Sequence, residues 1–396
     1  MKPLATRLAA YEVFFPLAAL GSIATIALTL PALTGGWSPS AGLSAIDWHA
    51  HEMLFGHFPT AFAGVMLTAL PRWTKRPSPA AATIVGLALL FLAARLAFVF
   101  SPSSMWLWTS PAALAAVAAY AGSRIVAAGD RRDFGLVALL AVLALADAAF
   151  LVSAPTGDTS FALRSAFAAA LSIAMVMGGR IAPALTRHLA DMRGEPQAPP
   201  TPRSFEITVF AVSLSALAAW TFAPRATTTA VALALAALFH AARLATWKGW
   251  STRDRPPFLA LHLGYSFLPL GFATMAVAIL RDDFDLVDVA AHAWGAGTLG
   301  LMCAAIMTSV VRRYSGKALS VSRLADALVA ALLVAVAARL AAGLAGLPLG
   351  LLHASAGAWI AAYATLAVLV ARDRRLPAPA GGMTTAATAD EFGEVS

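Results

Sequence analysis

The stretch from Phe134 to Ser153 reads FGLVALLAVLALADAAFLVS and decides the fold class. Its only charged side chain is Asp147. An α-helix needs about 20 apolar residues to cross the hydrocarbon core of a bilayer, and this stretch has that length. Because a water-soluble helix keeps one polar face, such a run predicts a transmembrane helix.

Similar apolar runs lie on both sides of this stretch, separated by short polar or Pro- and Gly-rich breaks. Open sheets cannot exist in hydrocarbon, so the sequence predicts an all-α integral membrane protein, a polytopic bundle of about twelve transmembrane helices. We number these spans 1 to 12, and they cover residues 8–31, 50–71, 81–101, 105–127, 134–153, 161–183, 205–223, 226–247, 257–280, 288–311, 322–343 and 350–371.

The composition excludes an ordinary soluble enzyme. Of the 396 residues, 60% are hydrophobic and 12% are charged, whereas a soluble domain has roughly 25% charged residues. The net charge of +8 comes from basic residues between the spans, which favours the lipid bilayer surface over a nucleic-acid partner. The single cysteine, Cys303, can form neither an intramolecular disulfide nor a thiolate cluster, so His, Met or carboxylates must hold any metal.

The basic residues also predict the orientation. Most of the 28 Lys and Arg residues fall on the side of the N-terminus, and positive loops stay cytoplasmic. We therefore expect cytoplasmic N- and C-termini, with the first span kept as an uncleaved helix. Residues 1–375 are expected to form a single twelve-span domain, and residues 376–396 a disordered cytoplasmic tail.

Histidines are the most informative ionisable residues, because polar groups are costly inside a membrane. The predicted topology puts five of the eight near the outer ends of spans 2, 10 and 12, which indicates a metal or cofactor site. These five are His49, His51, His57, His292 and His353. His240 and His262 lie nearer the cytoplasmic ends of their spans, where they could form a second, smaller cluster with His240 as a metal ligand. His188 falls in a basic loop, where a solvated side chain is expected.

Span 2 opens with the sequence WHAHEMLFGH, from Trp48 to His57. On a regular helix of about 100° per residue, His49, Met53 and His57 share one face, and His51 lies opposite. Two imidazoles and a thioether would suit copper. The alternative is that Met53 only fills space in the core, as methionines at helical spacing usually do.

Spans 2 and 10 match each other without a gap, because His51 aligns with His292, Met66 with Met307 and Arg72 with Arg313. A related ending closes span 6, so the chain could contain one four-helix unit three times, although short matches also arise by chance. If the repeat is real, His51 and His292 are candidates for the two axial ligands of one haem.

Several other embedded groups could take part. Arg180, like Arg95 and Arg339, could hold haem propionates or pair with a carboxylate such as Asp147 or Asp326. His262 is a further possible ligand. Glu52 is a candidate for the carboxylate that orients a ligand.

These residues resemble those of the NnrS family. The resemblance covers most of the chain, and its most specific part is the block from Trp48 to Gly56 with the Thr and Arg residues downstream. The stretches that are similar to the family are residues 48–56, 67–74, 177–187, 262–265 and 292–308, which include His49, His51, Glu52, Arg180, His262 and His292.

The resemblance implies a multi-pass protein of the bacterial inner membrane that carries haem, taken here as b-type, and copper. It further implies a role in the response to nitric oxide, in nitrosative stress or denitrification, with nitric oxide or a related small ligand and an electron donor as partners. The family pattern does not place His57, His240 and His353. The alternative is a secondary transporter, in which embedded His, Asp and Arg relay protons or bind a solute in helices broken at Pro183 or Pro269.

Overall fold

The structure is a computed structural model, and it describes residues 8–38, 42–100, 103–129, 132–197, 199–317 and 321–373. Those residues form helices and connecting turns, with no strand among them. Twelve helices within the described residues are long and apolar enough to cross a membrane. The predicted all-α architecture and its twelve spans are thus confirmed, and the expected tail at 376–396 lies outside the described residues.

Fourteen α-helices and two π-helices make up the twelve spans, because spans 2 and 10 each combine two α-helices with the π-helix between them. The first π-helix is Glu52–His57 and the second is Ala293–Leu301. The α-helices are α1 (Ala10–Leu33), α2 (Ala45–His51), α3 (Phe58–Thr74), α4 (Ala81–Phe100), α5 (Thr109–Ala128), α6 (Phe134–Ser153), α7 (Ser160–Arg193), α8 (Arg203–Phe222), α9 (Thr227–Thr246), α10 (Pro256–Arg281), α11 (Phe284–His292), α12 (Met302–Tyr314), α13 (Arg323–Leu344) and α14 (Leu349–Arg372).

Short polar residues set the helix ends. The side chain of Ser44 accepts a hydrogen bond from the backbone of Asp47 at the start of α2, and Asp283 caps α11 through the backbone of Leu286. Lys75 ends α3 in the left-handed conformation. These local signals mark the start of α2, the start of α11 and the end of α3.

The outward faces of the helices are apolar. On α4, Leu89, Leu92 and Leu96 are between 38% and 57% exposed. A water-soluble protein would bury such a stripe. The exposed faces therefore fit a lipid bilayer, as the composition predicts.

Two compact units divide the chain. Among the described residues, unit 1 contains those up to Ile173 together with Leu352–Arg372, and unit 2 contains Ala174–Leu351 together with Asp373. Spans 2, 6 and 10 are the most buried of the twelve candidates, at 83%, 61% and 78% of their most apolar window. The sequence relates these same three spans to one another.

The structure corrects two expectations about helix geometry. Span 2 is not a regular helix, because residues 52–57 adopt the wider π turn, so the predicted common face of His49, Met53 and His57 does not hold. The prolines also leave their helices intact: α7 continues through Pro183 and α10 through Pro269. The helix breaks expected for a transporter are absent at both positions.

Candidate functional site

A closed ring of side chains lies inside unit 1. We call it the first polar cluster, and its members are His51, Glu52, Arg95, Ser110 and Asp147. His51 bonds Glu52 through Nδ1 at 3.2 Å and Asp147 through Nε2 at 2.9 Å. Arg95 donates to Glu52 at 2.6 Å and to Ser110 at 2.7 Å, and Ser110 donates to Asp147 at 2.6 Å.

Aromatic rings seal this cluster. His51 is fully buried and stacks on Phe98 at 3.8 Å between ring centroids, with Phe150 at 4.9 Å and Phe55 at 5.1 Å. Gly56 in the first π-helix makes room for Arg95, since a Cβ there would lie 2.4 Å from Arg95 Nη1. The imidazole and the two carboxylates are thus almost completely enclosed, and only Arg95 keeps some exposure, 12% of its side chain.

The cluster's hydrogen bonds fix its proton count. Each ring nitrogen of His51 faces a carboxylate oxygen, so a proton must lie in each of the two contacts. With both protons present, the charges of His51, Glu52, Arg95 and Asp147 sum to zero, which is the least costly state in a membrane. As arranged, His51 has no lone pair directed at a metal.

The other two histidines of span 2 also have partners. His57 is buried, with Nδ1 donating to the carbonyl of Ala18 at 3.2 Å and Nε2 bonded to the Tyr363 hydroxyl at 2.9 Å. His49 bonds Thr29 Oγ1 through Nδ1 at 3.0 Å. Because that hydroxyl already donates to the carbonyl of Thr25, Nδ1 of His49 carries the hydrogen and Nε2 carries the lone pair.

Unit 2 contains a comparable group, which we call the second polar cluster: His292, Asp288 and Arg339. His292 Nδ1 lies 2.9 Å from the Asp288 carbonyl and 3.2 Å from its carboxylate. Arg339 Nη2 donates to both carboxylate oxygens at 2.8 Å. A histidine whose Nδ1 donates to a carbonyl and a carboxylate presents the Nε2 lone pair, which is the usual arrangement of a metal ligand.

His262, also in unit 2, is a buried histidine with one unsatisfied nitrogen. Its Nε2 lies 2.8 Å from Thr186 Oγ1, and that hydroxyl donates to the carbonyl of Ala182. Nε2 is therefore the protonated nitrogen. Nδ1 is buried with no hydrogen-bond partner, and a Cβ at Gly249 would lie 2.5 Å from it.

Sequence reasoning missed a third group, which we call the Arg243 cluster: Glu206, Ser213, His240, Arg243 and Tyr265. The sequence indicated Arg243 only as one of the basic residues of the cytoplasmic side, but it is 3% exposed within α9. Its guanidinium bonds both carboxylate oxygens of Glu206, and it donates to the Tyr265 hydroxyl at 2.6 Å. The available signal was the pair Gly178 and Gly179, because a Cβ at Gly179 would overlap this guanidinium.

His240 is a member of this cluster. The sequence suggested it as a metal ligand, but its ring nitrogens have other partners. Its Nε2 bonds Ser213 and its Nδ1 bonds Tyr265, each at 2.8 Å. Ser213 donates its own hydrogen to the carbonyl of Val209, so His240 donates to Ser213 and accepts from Tyr265. Both ring nitrogens are therefore engaged.

The structure places the remaining candidates as follows. Arg180 on α7 and His353 on α14 are exposed, and Met53 is half-buried in the first π-helix. Arg95 pairs with Glu52. The sequence had suggested Asp147 or Asp326 as its partner. Within the described residues, no three His, Cys, Asp or Glu side chains converge in a way that could hold a metal ion.

Fold and site together define a polytopic α-helical membrane protein with buried, charge-compensated clusters of His, Arg and carboxylate side chains. Residues 6–372 match the family model described as NnrS protein. The chain therefore belongs to the NnrS family, as the motifs in spans 2, 6, 9 and 10 indicated. A search of curated proteins found no relative with significant similarity.

Proposed function

We propose that this chain is a haem- and copper-carrying protein of the bacterial inner membrane that binds or handles nitric oxide, in nitrosative stress or linked to denitrification. The observation that carries the proposal is the NnrS family match over residues 6–372. The donor set is consistent with it, because the single cysteine leaves histidine as the main ligand. Bound haem would supply an iron that takes up nitric oxide, and copper would exchange an electron with a donor.

The hydrogen bonds favour some histidines over others as metal ligands. His262 has one buried ring nitrogen without a hydrogen-bond partner. His49 and His292 donate through Nδ1, so Nε2 carries the lone pair of each ring. His51, His57 and His240 use both nitrogens in hydrogen bonds. We therefore propose His292 as the principal haem ligand near the periplasmic face, with His49 and His262 as further metal ligands.

The second polar cluster would hold that ligand in place. Asp288 accepts from His292 Nδ1, which fixes the tautomer and the ring orientation and raises the basicity of Nε2. Arg339 fixes the carboxylate of Asp288 with two hydrogen bonds. Glu52, the candidate for this supporting role in span 2, contacts both His51 and Arg95, but Asp147 occupies the other nitrogen of His51.

The test is an absorption spectrum, with iron and copper analysis, of detergent-purified protein before and after dithionite and nitric oxide. We expect a Soret band that shifts with nitric oxide. A monodisperse, folded protein without colour or metal would overturn the proposal and favour a transporter, which solute-binding assays would then address.

The orientation is part of the same proposal, and reporters fused near Arg372 test it. An N-terminus and a C-terminus in the cytoplasm give fluorescence from a green fluorescent protein fusion and no activity from an alkaline phosphatase fusion. The opposite result would move His292 to the cytoplasmic side and contradict the periplasmic haem.

A further inference from the structure

A cavity of about 60 Å³ lies in unit 2, where α7 and α9 end. One water needs roughly 10–15 Å³ by the same kind of measure, so the cavity admits a polar group of several heavy atoms. Its lining includes Pro183 and Trp247 as apolar wall, with the hydroxyls of Thr246 and Ser251.

Two cations line this cavity without a partner. The side chains of Arg187 and Lys248 make no hydrogen bond or ion pair within the part of the chain that the structure describes. Glu195 is the one acidic residue among the described lining. The nearby Asp254 does not compensate them, because Arg193 donates to it at 2.5 Å. That hydrogen bond lowers the pKa of the Asp254 carboxyl. The cavity therefore has an excess of positive charge.

The residues around the cavity are typical of the head-group region of a bilayer. Lys248 follows the last turn of α9 in the left-handed conformation, and the chain then makes a short 3₁₀ turn at Gly249–Thr252. Within that turn the indole of Trp250 is 71% exposed. Exposed tryptophans next to basic residues are typical of the membrane interface.

We propose that this cavity binds the phosphate group of an anionic phospholipid. The Arg187 guanidinium can pair with two phosphate oxygens, Lys248 adds a point charge, and the hydroxyls of Thr246 and Ser251 can donate to the remaining oxygens. Basic pockets between transmembrane helices take lipid head groups in this way. Free phosphate offers the same oxygens, so the experiment separates the two sources.

The test uses the full-length protein in nanodiscs made of equal parts phosphatidylglycerol and phosphatidylcholine, followed by native mass spectrometry after release into detergent. We expect the wild type to retain one more phosphatidylglycerol than the double variant Arg187→Gln/Lys248→Gln, with at least about a tenfold weaker affinity in the variant. The matched control is Lys75→Gln/Arg76→Gln. Lys75 is also a left-handed lysine at a helix end, and neither residue lines this cavity.

Equal retention by the wild type and by Arg187→Gln/Lys248→Gln would overturn the proposal, and so would an equal loss in the control pair. Inorganic phosphate added to protein in pure phosphatidylcholine is the second arm. If phosphate protects Arg187 from phenylglyoxal there and phosphatidylglycerol is not retained, a free anion is the ligand and the lipid proposal fails. If the double variant does not fold, Lys248→Gln alone, at an exposed position, gives the same readout.

Discussion

The first and second polar clusters are built from the same types of residue, but their histidines differ in the number of carboxylates that they contact. In each, a histidine precedes a π-helix, contacts a carboxylate one or four residues away, and shares that carboxylate with an arginine from the next span. The first has an additional carboxylate, Asp147, which occupies the second ring nitrogen of His51. One added carboxylate thus converts a ligand-like histidine into a closed ion network.

The two histidines also differ in their exposure. His51 is fully buried between phenylalanine rings, whereas the side chain of His292 is 24% exposed. Breaking a buried ion pair leaves an uncompensated charge in the membrane, whereas a partly exposed group can be hydrated. The first cluster is therefore expected to govern folding, and the second to govern binding.

Removing Arg95 should cause the largest loss in the free energy of unfolding. Arg95→Met leaves Glu52 without its cation inside the membrane, and we expect a loss of about 3–5 kcal/mol in the free energy of unfolding, typical of a broken buried ion pair. Arg339→Met is the matched variant and should cost clearly less, because the side chain of its partner Asp288 is 34% exposed and can be hydrated. Equal losses in thermal unfolding in detergent would contradict the distinction between the clusters.

Alanine variants of the two histidines should distinguish a role in haem binding from a role in folding. His292→Ala should reduce the haem content per folded protein by about tenfold or more, since the proposed ligand is lost. His51→Ala should lower the yield and stability of the protein, while the folded fraction keeps its haem. The measurement is the Soret absorbance of the monodisperse fraction, with His353→Ala as the exposed control. The reverse pattern would restore His51 as the ligand.

The two π-helices can be compared through their glycines. In Gly297→Ala the new Cβ would lie 2.4 Å from Cγ of Phe267, in the inner part of a packed ring, whereas in Gly56→Ala it would meet the end of the long Arg95 side chain. We expect a loss of about 1–3 kcal/mol for Gly297→Ala and a smaller one for Gly56→Ala. Gly86→Ala in α4 has open space around it and should be neutral or slightly stabilising. An equal loss at Gly86 would show that packing is not the cause.

Within the first polar cluster, Ser110→Ala should lower the free energy of unfolding less than Arg95→Met does. It removes the hydroxyl that joins Arg95 to Asp147, which typically costs about 1–3 kcal/mol when buried partners lose a bond; we expect the lower end, because Arg95 keeps Glu52 and Asp147 keeps His51. Thermal unfolding measures it, and Ser110→Thr, which retains the hydroxyl, should recover part of the loss. No recovery would point to packing alone.

The fold was predictable because the bilayer imposes a length. An apolar run such as residues 134–153 has few alternatives in hydrocarbon, and α6 begins and ends at the predicted residues. The ends of some helices were predicted less accurately. For example, α7 continues to Arg193, ten residues past the predicted end of span 6.

The site was only partly predictable, because tertiary placement chooses the partners. The sequence marked Arg95 and Asp147 as ionisable, but it could not show that Ser110 and His51 lie between them. The π-helix at Glu52–His57 adds to the residues in a turn, so angles counted on a regular helix failed from Met53 onward. Arg243 was missed because its position near the end of a span looked like a loop.

The zero net charge of the first polar cluster has an electrical consequence. An isolated ion in the bilayer gains or loses about 2.3 kcal/mol for each 100 mV of the potential through which it moves. The charges of His51, Glu52, Arg95 and Asp147 cancel, so the membrane voltage exerts no net force on the group. An energised membrane should therefore leave this cluster where it lies at rest.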